Sequence, residues 1–312
     1  MKEEYDLIII GAGVTGLAAA MYSARLELKT LCLGNSSGSE FPVGGVITTT
    51  NIVENYPGFI KLTGEELADK IRKHAEEYPL VSIKEEKVEK VDKKGDEFVV
   101  KTSISEYYGK TVLFASGTKW RKLEVPGSNE FENKGVFYCA LCDSPMYKNK
   151  ITAVVGGSDS AAKDALVLAE HAKKVFIIIR KENMTAEPVN IKRIASKKNI
   201  EIIKNTNVIE IKGDSRLRKI VLDRKFDGKD ELDIDGLLVD IGHIPLSDLA
   251  KKIGVKTNEK SEIIINHKTS ETNVPGIYAA GDVADKPFKQ AITGVAEGCT
   301  AAYSAFEYLK KE

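Results

Sequence analysis

The sequence predicts an α/β protein, because one local pattern occurs twice in its 312 residues and strand-like runs fill much of the rest. In the first copy an apolar run, Asp6–Ile10, leads into Gly11-Ala-Gly13-Val-Thr-Gly16 and then a helical stretch over Leu17–Leu26. In the second, Ile151–Val155 leads into Gly156-Gly157-Ser158-Asp159-Ser160-Ala161 and a helical stretch over Ala162–His171. A further strand-like run follows each, Thr30–Leu33 and Lys174–Ile179. Strand, glycine turn, helix and strand make the βαβ unit of a dinucleotide-binding domain. Two copies predict two Rossmann-like domains.

The remaining segments fit around those units. Val81–Val91, Glu97–Thr102 and Thr111–Ala115 are rich in β-formers and are split by Lys-Lys-Gly-Asp at 93–96. Ile200–Ile211, Lys219–Leu222 and Gly236–Ile241 form a second β-rich set. Apolar residues at 292, 295, 299, 302, 303 and 306 predict a helix over Gln290–Lys310. Gly34–Pro42, rich in Gly, Ser and Asn, reads as a loop.

Composition narrows the function classes. Lys+Arg and Asp+Glu both number 46, so bulk charge draws the chain to neither nucleic acid nor an anionic membrane. The longest apolar stretch near the start, Leu7–Ala20, follows Glu3, Glu4 and Asp6 where a signal peptide carries positive charge. It is also shorter than the roughly 18–20 apolar residues of a membrane helix. The expectation is a cytoplasmic protein.

The four cysteines are Cys32, Cys139, Cys142 and Cys299, too few for a disulfide scaffold. Cys139 and Cys142 form a Cys-x-x-Cys, which in an intracellular chain points to redox chemistry or to half of a metal site. The four histidines, His74, His171, His243 and His267, lie far from it in sequence, which argues against zinc. Exchange chemistry runs through the thiolate, and free cysteine titrates near ~8.5. Asp143, directly after the pair, is placed to shuttle a proton if its pKa is raised. Cys32, at the end of a buried strand, and Cys299, inside the C-terminal helix, read as small core residues.

The glycines of the first turn have separate tasks. Gly11 permits the tight turn, Gly13 lets the backbone approach a pyrophosphate, and Gly16 lets helix and strand pack closely. The second turn has Ser158 where the pyrophosphate-facing glycine belongs, so its hydroxyl either crowds a phosphate or donates to it. Gly276–Val283 is a short apolar strand ending in Gly281-Asp282, a carboxylate suited to a ribose or ribityl hydroxyl.

Together these residues resemble the low-molecular-weight thioredoxin reductase family of flavoproteins, over essentially the whole chain. The likeness rests on Gly11–Gly16, Gly44-Gly45-Val-Ile-Thr-Thr-Thr, Val53-Glu-Asn55-Tyr-Pro-Gly58, Ala115-Ser-Gly117-Thr, Tyr138-Cys-Ala-Leu-Cys-Asp143, Gly281-Asp-Val and Lys289-Gln290-Ala291. The most discriminating part is Cys-x-x-Cys-Asp shortly before a second nucleotide turn. The resemblance implies a discontinuous FAD domain, residues 1–116 and 246–312, with an inserted NAD(P)H-type domain, 117–245, carrying the cysteines. It implies FAD on Gly11, Gly13, Gly16, Gly45, Asn55, Gly117, Gly281, Asp282, Lys289, Gln290 and Ala291. It implies NADPH on Gly156, Gly157, Ser158, Asp159, Ser160, Arg180 and Lys181. It further implies a homodimer, two alternating domain orientations, and thioredoxin as partner. Cys142 is then the thiol nearer the flavin, Cys139 the one that attacks the partner disulfide, and Asp143 the proton donor.

The sequence departs from that family at the second nucleotide site. NADPH-using members follow the second βαβ strand with His-Arg-Arg and, four residues on, another Arg. Here the stretch is Ile179-Arg180-Lys181, with Thr185 in the last position. One lost charged hydrogen bond costs about 1.5–3 kcal/mol, about 10- to 150-fold in affinity. Three readings follow. The first is an NADPH-dependent thioredoxin reductase. The second keeps the dithiol chemistry but draws electrons from NADH, ferredoxin or a reduced deazaflavin. The third is a flavin redox sensor without turnover, suggested by Ser144-Pro145 after the dithiol.

Overall fold

The computed structural model describes residues 3–34 and 42–311. Most of the predicted Gly34–Pro42 loop lies outside them. The described chain forms two compact units, Met1–Lys119 with Ile244–Glu312, and Trp120–His243. The resemblance placed the divisions at 116/117 and 245/246.

The first unit begins with β1 (Glu4–Ile10), α1 (Val14–Arg25) and β2 (Thr30–Gly34). It continues through α2 (Gly64–Glu76), β3 (Val81–Glu85), β4 (Val88–Lys94), β5 (Glu97–Thr102) and β6 (Glu106–Phe114). Its main sheet runs β3-β2-β1-β6-β5-β4, and a late strand, Ile277–Ala279, adds in parallel on β6. Parallel pairing of β2, β1 and β6 puts the C-terminal ends of those strands at one edge, where the first glycine turn leaves β1. Leu7, Ile8 and Ile9 are fully buried because both faces of the sheet are covered.

After β7 (Thr118–Trp120) the second unit runs β8 (Val136–Phe137), α3 (Ala140–Asp143), β9 (Ile151–Val155), α4 (Asp159–Leu168) and β10 (Lys174–Ile178). It continues with α5 (Pro188–Ser196), β11 (Ile200–Ile203), β12 (Val208–Gly213), β13 (Leu217–Phe226), β14 (Lys229–Asp233) and β15 (Gly236–Val239). A parallel sheet ordered β11-β10-β9-β15-β8 carries the second turn, and β12-β13-β14 form an antiparallel sheet beside it. The last elements are β16 (His243–Pro245), which pairs with β7, then α6 (Asp248–Lys252), β17 (Ile277–Ala279) and α7 (Ala291–Leu309).

Several boundaries move from expectation. Both nucleotide helices start three residues early, at Val14 and Asp159, directly after the residue that caps them. Val81–Val91 is two strands that pair with different neighbours. Ile200–Ile211 is also two strands, in different sheets, separated by a turn in which Asn205 takes a left-handed conformation, φ 53°. The strand predicted at Thr111 begins at Glu106. Among the described residues no helix is long and apolar enough to cross a membrane. Among them, too, no group of three or more His, Cys, Asp or Glu is set to hold a metal ion.

Candidate active site

In the first turn, two glycines answer to the protein and one does not. Gly11, at φ 114°, leaves no room for a side chain: a Cβ would stand 2.2 Å from the Ala115 carbonyl oxygen. A Cβ at Gly16 would stand 1.9 Å from the Gly11 oxygen. At Gly13 the nearest atoms, in Gly44 and Gly45, are 3.8 Å away. Packing therefore does not require glycine at 13, while a group approaching the backbone from outside does. Gly13 caps α1 without a side-chain hydrogen bond, and the first turn of α1 holds no acidic residue. Among the described residues no side chain caps this helix end, whose N–H groups and positive dipole suit an anion.

The rest of the predicted flavin set lies in the same unit, and Gly45 and Gly281 pack against that turn. Gly44 donates its N–H to the Ala12 carbonyl at 2.8 Å and bridges Gly13. A Cβ on Gly45, at φ 77°, would come 3.1 Å from the Gly13 Cα. Gly281 packs on Thr15, leaving 2.6 Å between a Cβ and the threonine Oγ1. Asn55 Nδ2 donates to Gln290 Oε1 at 3.0 Å, joining residues far apart in sequence. Lys289 Nζ donates to the Asp282 carbonyl at 2.9 Å and pairs with Glu262. Gln290 and Thr293 make a reciprocal cap at the start of α7, directly before Ala291. Gly117 takes φ 63° with open space beside it. A glycine at 13 and a helix end without a side-chain cap fit a dinucleotide such as FAD.

Sequence reading passed over Glu297. Its Oε2 accepts the Gly281 N–H at 2.9 Å, and its Oε1 lies 3.3 Å from Lys286 Nζ. The two side chains are only 12% and 14% exposed, so this ion pair fixes the Gly281-Asp282 turn from within. Nothing in the local sequence marks it, because its partners arrive from another segment.

Cys139 and Cys142 are joined by a disulfide, with Cα atoms 5.4 Å apart. Cys139 caps α3, and its Sγ accepts the Cys142 N–H at 3.1 Å. That N–H favours a thiolate on Cys139 once the pair is reduced. Cys139 is 7% exposed, whereas Cys142 is exposed. Asp143 is half-buried, and desolvation holds its carboxyl above the ordinary range. Burial, reinforced by Asp143, pushes the neighbouring Tyr147 hydroxyl up to about 12. Phe137 stacks on Tyr147 at 4.7 Å, and the tyrosine ring fills the space a side chain on Gly236 would take. Cys32 is fully buried with its thiol pushed up to about 12 by desolvation, and Cys299, too, is raised by burial. Neither is a thiolate near neutrality.

The second turn keeps the fold of the first and changes the ligand face. Gly156, at φ 148°, is required, because a Cβ would stand 1.9 Å from the Asp240 carbonyl oxygen. Ser158 caps α4, its Oγ accepting the Ala161 N–H at 3.1 Å. Asp159 follows, its Oδ1 accepting from Glu187 N and Asn190 Nδ2 at 2.8 Å and its Oδ2 2.9 Å from Lys163. Hydrogen bonds to Asn190 and Lys163 outweigh its desolvation, the largest single effect, so Asp159 stays ionised to lower pH than usual. Ile179 is buried and packs on Gly157. Thr185 donates both its N–H and its hydroxyl to the Gly157 carbonyl, at 2.7 and 3.2 Å. Arg180 and Lys181 are exposed and make no ion pair among the described residues.

Residues 5–298 match the family of pyridine nucleotide-disulphide oxidoreductases, and the chain belongs to that family. Within it the chain belongs with the low-molecular-weight thioredoxin reductases. It is 37% identical over 320 residues to thioredoxin reductase of Bacillus subtilis (strain 168), covering 100% of this chain and 97% of the relative. The thioredoxin reductase of Lactococcus lactis superposes with a TM-score of 0.92 at 34% identity, covering 99% of this chain and 100% of that one. A ferredoxin-flavin thioredoxin reductase from Clostridium acetobutylicum gives 0.53 at 32% identity, covering 100% of both.

Proposed function

We propose that this protein reduces thioredoxin, taking electrons from NADPH through FAD to the Cys139–Cys142 disulfide. The observation that carries the reading is the formed disulfide followed at once by a desolvated acid, Asp143. FAD, when bound, supplies hydride acceptance and delivery of an electron pair to a disulfide. Gly11, Gly13, Gly16 and Gly45 would receive its pyrophosphate side, with Asn55, Gly117, Asp282, Lys289, Gln290 and Ala291 around the remainder.

The chain's own steps follow from thiol exchange. Reduction by one electron pair opens the Cys139–Cys142 bond and leaves a thiol or thiolate at each position. Cys139, as thiolate, attacks one sulfur of the thioredoxin disulfide and forms a mixed disulfide, and the other thioredoxin sulfur leaves. Asp143 donates the proton that this leaving thiolate takes. Cys142 then attacks Cys139, restoring the internal disulfide and releasing the second thioredoxin thiol. Because Cys139 is buried in the oxidised form, its attack requires an exposure change first. Alternation between domain orientations, implied by the resemblance, supplies one. The same resemblance supports a homodimer, and Glu3, Glu4 and Asp6 ahead of the first apolar run support a cytoplasmic location.

A second reading has its own observation. Ser158, Ile179 and Thr185 are all occupied by internal contacts, which leaves Arg180 and Lys181 as the only predicted cations for a 2′-phosphate. It favours a donor other than NADPH, and the clostridial ferredoxin-flavin enzyme is a relative of that kind by name. Anaerobic addition of NADPH, NADH or reduced ferredoxin to the flavoprotein, with oxidised thioredoxin present, tests both. The proposal expects flavin bleaching by NADPH and thioredoxin reduction that Cys139→Ser abolishes. Bleaching by ferredoxin alone selects the second reading. Absence of thioredoxin reduction with every donor contradicts both.

A further inference from the structure

The second glycine turn is built against a buried acid that the thiol chemistry does not use. Asp240 follows β15, whose Val239 lies opposite Val155 of β9, so it stands beside Gly156 where the turn opens. Its N–H donates to the Val155 carbonyl at 2.9 Å, and its own carbonyl oxygen excludes any side chain at Gly156. The residue is 6% exposed. Its Oδ2 is one of two buried side-chain oxygens without a hydrogen-bond partner among the described residues.

The surroundings of this carboxyl group come from two elements. From α4 and its cap, the Ser160 and Ser158 hydroxyls favour its charged form, while Asp164 opposes it. From the segment after β15, the Gly242 N–H and His243 favour the charge. Asp240 thus borders, at Gly156, the turn that leads into α4, where helix N–H groups and small hydroxyls receive a pyrophosphate. Ser158 is already engaged at the helix end, its oxygen accepting the Ala161 N–H.

We propose that Asp240 is a specificity-determining residue of the second turn, whose carboxylate opposes the pyrophosphate of a dinucleotide on α4 and weakens its binding. This rests on the reading of the second turn as a pyridine-nucleotide site. Two like charges about 8 Å apart at an effective dielectric near 20 change affinity by roughly tenfold or more. Burial holds the Asp240 proton to higher pH than an ordinary carboxyl. Binding of the dinucleotide is therefore strongest while that proton is held, and it weakens as the pH rises and the proton leaves.

The experiment is a calorimetric titration of the oxidised holoenzyme with NAD+, whose phosphates do not titrate between about pH 6 and pH 8. Asp240→Asn is expected to bind NAD+ about tenfold tighter than wild type at about pH 8, and the difference narrows as the pH falls. Asp240→Ala moves the same way, and His243→Gln keeps the wild-type fall with pH. The wild-type titration needs no variant, and an affinity equal at both pH values overturns the proposal. So do Asp240→Asn and Asp240→Ala proteins that bind no tighter than wild type, including the case in which none binds NAD+. Thioredoxin reduction by dithionite-reduced wild type is followed in parallel. Its absence would refute the disulfide-reductase reading and leave the NAD+ comparison standing.

Discussion

The two glycine turns leave their strands alike and meet a ligand differently. Gly11 and Gly156 serve the same need, since each has a neighbouring carbonyl oxygen about where its Cβ would be. The divergence begins two residues later. A Cβ at Gly13 would meet only ordinary contacts at 3.8 Å, and α1 starts with neither a side-chain cap nor an acid among the described residues. Ser158 caps α4 with its own hydroxyl, Asp159 adds a carboxylate to the first helical turn, and Asp240 lies beneath. The strand–turn–helix geometry survives in both, so it does not by itself report binding. What reports it is whether the helix end has been left unsatisfied.

The sharpest way to break this comparison is to make the first turn like the second. Gly13→Ser places a side chain where no protein atom stands, so the apoprotein keeps its melting temperature while FAD affinity falls by about 100-fold or more. Flavin absorbance per chain, set beside the melting curve, separates that outcome from simple unfolding. Asp143→Asn removes the proton donor and is expected to slow thioredoxin reduction by about 10²-fold or more. The raised Asp143 carboxyl keeps its proton to higher pH than usual. Wild-type turnover in steady-state assays should therefore fall as the pH rises through the Asp143 pKa, and the asparagine variant should lose that limb. Thr185→Arg restores a cation near Arg180 and Lys181, and should shift the NADPH-to-NADH preference of kcat/KM by about tenfold. The smallest effect belongs to Ser158→Ala, which loses the α4 cap and costs about 1 kcal/mol in a denaturant titration.

Much of this was legible in the sequence because it is local. The Gly11–Gly16 spacing, the apolar runs and Cys139-Ala-Leu-Cys142-Asp143 each carry their chemistry within a few residues. The helix starts were misplaced because Gly13 and Ser158 lie outside the apolar period, yet they are the caps from which the helices grow. The helix α2 went unread although Thr63 and Glu66 form its capping box, because its apolar stripe is narrow and mostly charged neighbours surround it. The strand pairs at 81–94 and 200–213 were fused because β-propensity runs across their short turns. Only a structure shows which sheet each half joins. The Glu297–Lys286 pair behind Gly281 and the Asp240 carboxyl beneath Ser158 depend on chain segments brought together by folding, and no spacing announces them.

The account stands on one coupling, between a flavin held by the first turn and the Cys139–Cys142 disulfide. An anaerobic dithionite titration of the holoenzyme, followed by flavin absorbance, measures it directly. Wild type is expected to take up twice as many electrons as Cys139→Ser, because flavin and disulfide each accept a pair. Equal uptake by the two proteins would mean that the flavin does not deliver electrons to this disulfide, and would contradict it.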